Sequence, residues 1–167
     1  MTDARFEDGA PHGPDAPLRL LAQDEGDLPA LSALIQDAVF TGADITYLPK
    51  RRRLALLLNR FRWEDHAAAL SSGRPYERVK SLLIIDNITA LRRAGFDPAD
   101  KSAVQALLAL TFAPQGELGG TLTAALGGAN PEKGGAIAMD IEAIDITLRD
   151  VTRPHLAIAK GAPDHGE

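Results

Sequence analysis

Apolar and polar residues alternate with a period of two along much of this chain, and one stretch alone keeps the period of a helix. In 28–38, Leu31, Leu34, Ile35 and Ala38 fall on one helical face. Asp27 is placed to cap that helix, and Leu28 and Pro29 open its first turn, where proline is tolerated. The remaining pattern predicts strands. Residues 17–23 form a first strand, and Val39 and Phe40 start another. Ile45 and Tyr47 then alternate with Thr46 and Leu48 up to Pro49, which cannot donate to a ladder. The chain returns over 54–63. Its even positions are Leu54, Leu56, Leu58, Arg60 and Arg62; its odd positions are Ala55, Leu57, Asn59, Phe61 and Trp63. Both faces are apolar in the first half, so that half is expected to be buried on both sides. The even face then turns basic, so the far end is expected to emerge into solvent.

Residues 78–85 read as a strong strand, Asp86 and Asn87 as a bulge or tight turn, and 88–91 as strand again. The run 104–112 fits either a buried strand or a helical turn, ended at Pro114. Residues 121–126 form a strand between glycine pairs. In 136–151, Ile137, Met139 and Ile141 share one face, but Ile144, Ile146 and Leu148 share the other. That change of parity requires a bulge, or a strand passing from one sheet to another near Ala143. The pattern predicts an α+β, mostly β fold. It is an antiparallel curled sheet, or a small barrel or sandwich, of about seven strands with one N-terminal helix. A pleckstrin-homology-like barrel is one such build. Residues 1–16 read as a disordered tail, 17–153 as a single globular domain and 154–167 as a polar C-terminal tail.

Composition fits that picture: 167 residues, 45% hydrophobic and 25% charged, suit one domain with a real core. Cysteine is absent, which excludes disulfides, thiolate metal sites and a cysteine nucleophile, and suits a reducing cytoplasm. The first residues lack the apolar core of a signal peptide, and no apolar run reaches membrane-spanning length, so a cytoplasmic location and no membrane span are expected. The net charge of −5 is unevenly laid out. Residues 1–49 hold two basic and nine acidic residues, 50–101 twelve and six, and 102–167 four and eight. The middle third is thus positive between two negative thirds, a layout that either pairs inside one fold or shows a basic face to an anionic partner.

The charge concentrates on the hairpin. Lys50, Arg51, Arg52 and Arg53 crowd its turn, Arg60 and Arg62 follow on the return strand, and Tyr47, Phe61 and Trp63 lie among them. Arginines beside aromatics can bind anions or stack on bases; a solvated turn with its aromatics in the core has the same pattern. The candidate binding residues are therefore Lys50, Arg51, Arg52, Arg53, Arg60, Arg62, Tyr47 and Trp63. His66, beside Glu64 and Asp65, has no further ligands at a regular spacing. Asp140, Glu142 and Asp145 could form a carboxylate cluster, but with no matching nucleophile or histidine pair they read as a solvated face that pairs with the basic hairpin. Lys133 precedes glycine rather than Ser or Thr, so the glycine-rich segment around it is not a phosphate loop. No catalytic residue, metal site or cofactor is assigned.

Four segments, LRLLAQDEGDLPALSALIQDAV, YLPKRRRLALLLNRFRWE, ERVKSLLIIDNI and AIAMDIEAIDITLRDV, together resemble the alphaproteobacterial domain-of-unknown-function family 2948. The resemblance covers roughly 17–152, with the YLPK…LNRFRWE stretch its most specific part. The family carries no activity or catalytic residue to transfer. The sequence thus points to a small bacterial binding or adaptor domain using a basic hairpin surface, with a protein partner or an anionic ligand. One alternative is a nucleic-acid-binding module acting through the strip 50–62. Another is a small-molecule enzyme using His66 or the pair Asp140 and Glu142.

Overall fold

The structure is a computed structural model that describes residues 16–65, 77–128, 134–152 and 155–156. The alternating pattern resolves into eleven strands among these residues, rather than about seven. They are β1 (Arg19–Ala22), β2 (Ala38–Thr41), β3 (Ile45–Leu48), β4 (Arg53–Phe61), β5 (Glu77–Ile85), β6 (Ile88–Ala94), β7 (Val104–Gln115), β8 (Gly119–Gly127), β9 (Gly135–Ile141), β10 (Ile146–Asp150) and the two-residue β11 (His155–Leu156). The excess over seven comes from short strands and from interruptions that split one apolar run into two. The tail expected over 1–16 lies outside the described residues except for Ala16, which is buried. Of the C-terminal tail, His155 and Leu156 pair with Arg78 and Glu77.

Among the described residues there is one α-helix, α1 (Leu28–Ile35), three residues shorter than its pattern. Asp37 has a φ of 65°, a left-handed conformation that ends the helix, and Ala38 opens β2 instead. Asp27 does not cap α1. Its carboxylate turns back onto the N–H groups of Gln23 and Asp24, and Asp24 in turn caps the preceding 3-10 turn, Glu25–Asp27. Strand β7 does not stop at Pro114; it pairs with β8 as far as Gln115. Its ladder to β2 ends at Leu107, so Pro114 sits where one side of the strand has no ladder to break.

All ladders are antiparallel, in the order β1-β10-β5-β4-β2-β7-β8-β9-β6, with β3 beside β4 and β11 beside β5. The ladder is open, yet it curls back on itself for a covalent reason. β5 runs almost directly into β6, and β9 into β10, but β5 and β10 lie near one end of the order and β9 and β6 at the other. Two strands thus pass from one part of the sheet to the other at a single corner. Asn87, at φ 66°, makes the first crossing. The predicted parity change makes the second: Ile137, Met139 and Ile141 are buried before it, Ile144, Ile146 and Leu148 after it. The crossings are tied together. The Asp86 N–H donates to the Asp145 carbonyl (3.0 Å), the Glu142 N–H to the Asn87 carbonyl (3.0 Å), and Asn87 Nδ2 to the Ala143 carbonyl (3.3 Å).

The core fills the curl. Leu54, Leu56 and Leu58 of β4 line up beside Leu83, Ile85 and Leu148 of the neighbouring strands, in one buried cluster that also holds Leu122, Leu126 and Met139. The opposite face of β4 is only half-buried at Ala55 and Leu57. Helix α1 contributes Leu28, Leu31 and Ile35, each worth about 1.5–3 kcal/mol of apolar burial. It is also held by polar contacts. Ser32 Oγ accepts the Leu110 N–H (3.0 Å), and the Asp37 N–H donates to the Leu107 carbonyl (2.8 Å). These bonds bracket the point between Leu107 and Ala109 where the β7–β8 register shifts.

Candidate binding surface

The hairpin turn between β3 and β4 is a 3-10 turn, Pro49–Arg51, closed by Arg52 at φ 55°, whose N–H donates to the Pro49 carbonyl (3.1 Å). The turn is anchored rather than loose. The Arg52 carbonyl accepts the Ile88 N–H (3.0 Å), which ties the turn to the crossing corner. The Arg52 guanidinium meets Glu142 at 2.7 Å. Arg53 grips Asp86 with two bonds, Nε to Oδ1 (2.6 Å) and Nη2 to Oδ2 (3.3 Å). The hydrogen bonds and charge of Asp86 hold the Arg53 pKa above its ordinary value. Lys50 and Arg51 stay exposed, with no ionic partner among the described residues. Tyr47 is half-buried and packs against the core from β3.

Arg60 and Arg62 do not join this surface. Expected in solvent, they are buried, at 0% and 3% exposure. Arg60 sits on an even position of β4 and Arg62 keeps that parity just past its end, on the side that points into the curl, and this placement overrides their charge. What makes this tolerable is pairing. Arg60 donates to both oxygens of Glu64 (2.8 Å each), to Asp150 Oδ1 (2.9 Å), to Ser81 Oγ (2.9 Å) and to the Phe61 carbonyl (3.0 Å). Ser81 Oγ donates to the same Asp150 oxygen (2.7 Å), and the Leu18 N–H donates to the other (2.9 Å). Arg62 bonds Glu77 and lies 3.9 Å from Glu64. Burial opposes the charge on Arg60, but the hydrogen bonds and attraction of Glu64 and Asp150 outweigh it and raise its pKa. Burial likewise opposes ionisation of Glu64, and Arg60 outweighs it, so the carboxyl lies below its ordinary value.

The aromatics of the strip serve the same end of the strand. Phe61 and Trp63 lie with ring centroids 5.3 Å apart, and the Arg78 guanidinium sits 4.1 Å over the Phe61 ring. Arg78 is itself buried, which lowers its pKa. Trp63 Nε1 donates to the Gln36 carbonyl (2.9 Å) and so pins the strand end to the residue after α1.

The acidic candidates are engaged separately. Asp140 receives Arg92 through both terminal nitrogens (2.8 and 3.0 Å) and the Thr121 hydroxyl (2.8 Å), and these bonds pull its pKa to about 2. Glu142 is taken by Arg52. Among the described residues no group of three His, Asp or Glu side chains could hold a metal ion. His66 lies outside the described residues.

The interior network of Arg60, Ser81 and Asp150 had a sequence signal. Arg60 has the parity of Leu54, Leu56 and Leu58; Ser81 that of Val79 and Leu83; Asp150 that of Ile146 and Leu148. Three polar residues on inward positions of neighbouring strands predict a shared polar interior.

The family described as "protein of unknown function (DUF2948)" matches residues 18–165. No curated protein and no solved structure matches the chain. Among the described residues no helix is long and apolar enough to cross a membrane.

Proposed function

We propose, from the premise that the chain belongs to the DUF2948 family of proteins of unknown function, that it is a non-catalytic binding or adaptor domain. Its contact surface is the β3–β4 turn, and its partner is a protein or an anionic ligand. The observation that carries this reading is the contrast between the six clustered cations. Arg60 and Arg62 are spent in the interior, Arg52 and Arg53 are pinned to Glu142 and Asp86, and Lys50 and Arg51 are left in solvent on a turn those pairs hold still. A rigid cationic knob loses little entropy on binding. Loss of Arg60 and Arg62 from the surface shortens the strip a nucleic acid would need, and the net charge of −5 opposes a phosphate backbone. Arginine pairing of Asp140 and Glu142 favours a structural role over acid–base work for both. The lack of cysteine supports a cytoplasmic setting.

The test is titration of fluorescein-labelled poly-glutamate, and separately of a labelled mixed-sequence RNA, at low and moderate salt. Wild-type protein should bind poly-glutamate at low salt. Lys50→Glu/Arg51→Glu should weaken that binding by about ten-fold or more without moving the urea midpoint. Equal binding by the variant would overturn the assignment. Tighter binding of the RNA, lost in the same variant, would replace it with the nucleic-acid reading.

A further inference from the structure

The turn abuts the start of an unpaired strand edge. Among the described residues β6 pairs with β9 alone. On its other side the ladder that β4 makes with β5 ends at one bond, Ile88 N–H to the Arg52 carbonyl, because β4 begins at Arg53 and the chain has turned away. From there to Ala94, no strand lies against that edge among the described residues. Beyond Ala94 the chain leaves the strand. It passes so close to Gly42 that a Cβ there would meet the carbonyls of Pro98 and Asp100. The edge is seven residues long, about 23 Å at strand rise.

Exposed edges of this length are templates for a further strand, and folds blunt them with proline or with charges that crowd the edge. β6 carries no proline, and its two arginines turn onto their own molecule. Arg92 reaches Asp140 on β9, the side away from the edge, and Arg93 donates to the Phe96 carbonyl (2.9 Å). Leu91, with Ile45 and Tyr47 of β3, is a partly buried apolar residue packed on the core. The charge at the head of the edge belongs to Lys50 and Arg51.

We propose that β6 accepts an extended peptide segment of a partner protein as an added antiparallel strand. The segment's acidic C-terminal end would meet Lys50 and Arg51. Main-chain bonds to β6 supply affinity, alternate side chains meet Leu91, and the turn selects the sign of the flanking charge. This inference rests on the turn being the contact surface and names its partner class.

The probe is a labelled decapeptide of alternating threonine and valine ending in three glutamates, with a control ending in three lysines. The acidic peptide should bind the full chain at least about ten-fold more tightly than the control. It should also slow amide hydrogen exchange within 88–94. Lys50→Glu/Arg51→Glu should reverse the preference while leaving the exchange pattern of the free protein unchanged, a control for folding. Peptide binding that depends on the turn but leaves exchange over 88–94 unaltered would overturn the strand addition and keep the turn as a contact surface. Protection of 88–94 that ignores peptide charge would keep the edge and remove the turn from both proposals. No binding of either peptide would overturn the inference, while poly-glutamate binding independently reports on the turn.

Discussion

Arg60 and Asp150 meet inside the curl of the sheet, 2.9 Å apart, with side chains 0% and 1% exposed. They come from strands that are not ladder neighbours. β5 lies between them and supplies Ser81, which bonds both. The charges therefore close a polar bracket across three strands, at the end of the core where leucines give way.

Breaking this bracket on one side should be costly. Asp150→Ala leaves a buried guanidinium with Glu64 as its remaining carboxylate partner and orphans the Leu18 N–H. We expect a loss of about 3–5 kcal/mol, read from urea unfolding. Arg60→Met, which strands Asp150 and Glu64 together, should cost at least as much. A single-variant cost near the ~0–1 kcal/mol of a surface pair would refute the bracket.

Helix α1 should be sensitive to one hydroxyl. Ser32→Ala removes the acceptor for the Leu110 N–H at the irregular point of β7 while sparing the helix. The expected cost is about 1–3 kcal/mol, with faster hydrogen exchange at Leu110. An unchanged exchange rate there would show that the hydroxyl is not its partner.

Acid should protonate last the carboxylates that arginines hold, so their stabilisation is lost at the low end of the pH range. Asp140, lowered from 3.8 to about 2, favours the folded state fully above its ordinary pKa, and that contribution is lost as pH falls through about 2. Glu64 is shifted in the same direction and adds to the same acid limb. Carboxyl NMR titration should find Asp140 near 2 in the wild type and nearer its ordinary value in Arg92→Ala. Asp140→Asn should flatten the dependence of stability on pH between about 4 and 2. An Asp140 midpoint untouched by Arg92→Ala would discount the pair.

Strand identity was legible wherever one face met the core. The parity change before Ile144 marked either a bulge or a crossing, and in the structure it is the crossing from β9 to β10 that keeps Met139 and Ile146 both inside. Asp86 and Asn87 marked the companion crossing by their turn chemistry. Arg60 and Arg62 were misread because composition suggested water where parity pointed inward. Parity places Arg60, Ser81 and Asp150 on inward positions, but which carboxylate meets which arginine depends on strand order, which no local pattern announces. The strand order, and with it the free edge of β6 beside the turn, depends on contacts between strands that periodicity does not record.

The pairing of β1 with β10 has a consequence in time. The Leu18 N–H bonds a carboxylate 132 positions further on. On a ribosome adding about 5–20 residues per second, Leu18 emerges on the order of ten seconds before its partner exists. Until then Leu20 and Ala22, both buried in the finished fold, have no β10 to lie against. The nascent chain must carry β1 as a loose apolar segment, which cannot be seated until β10 has been made.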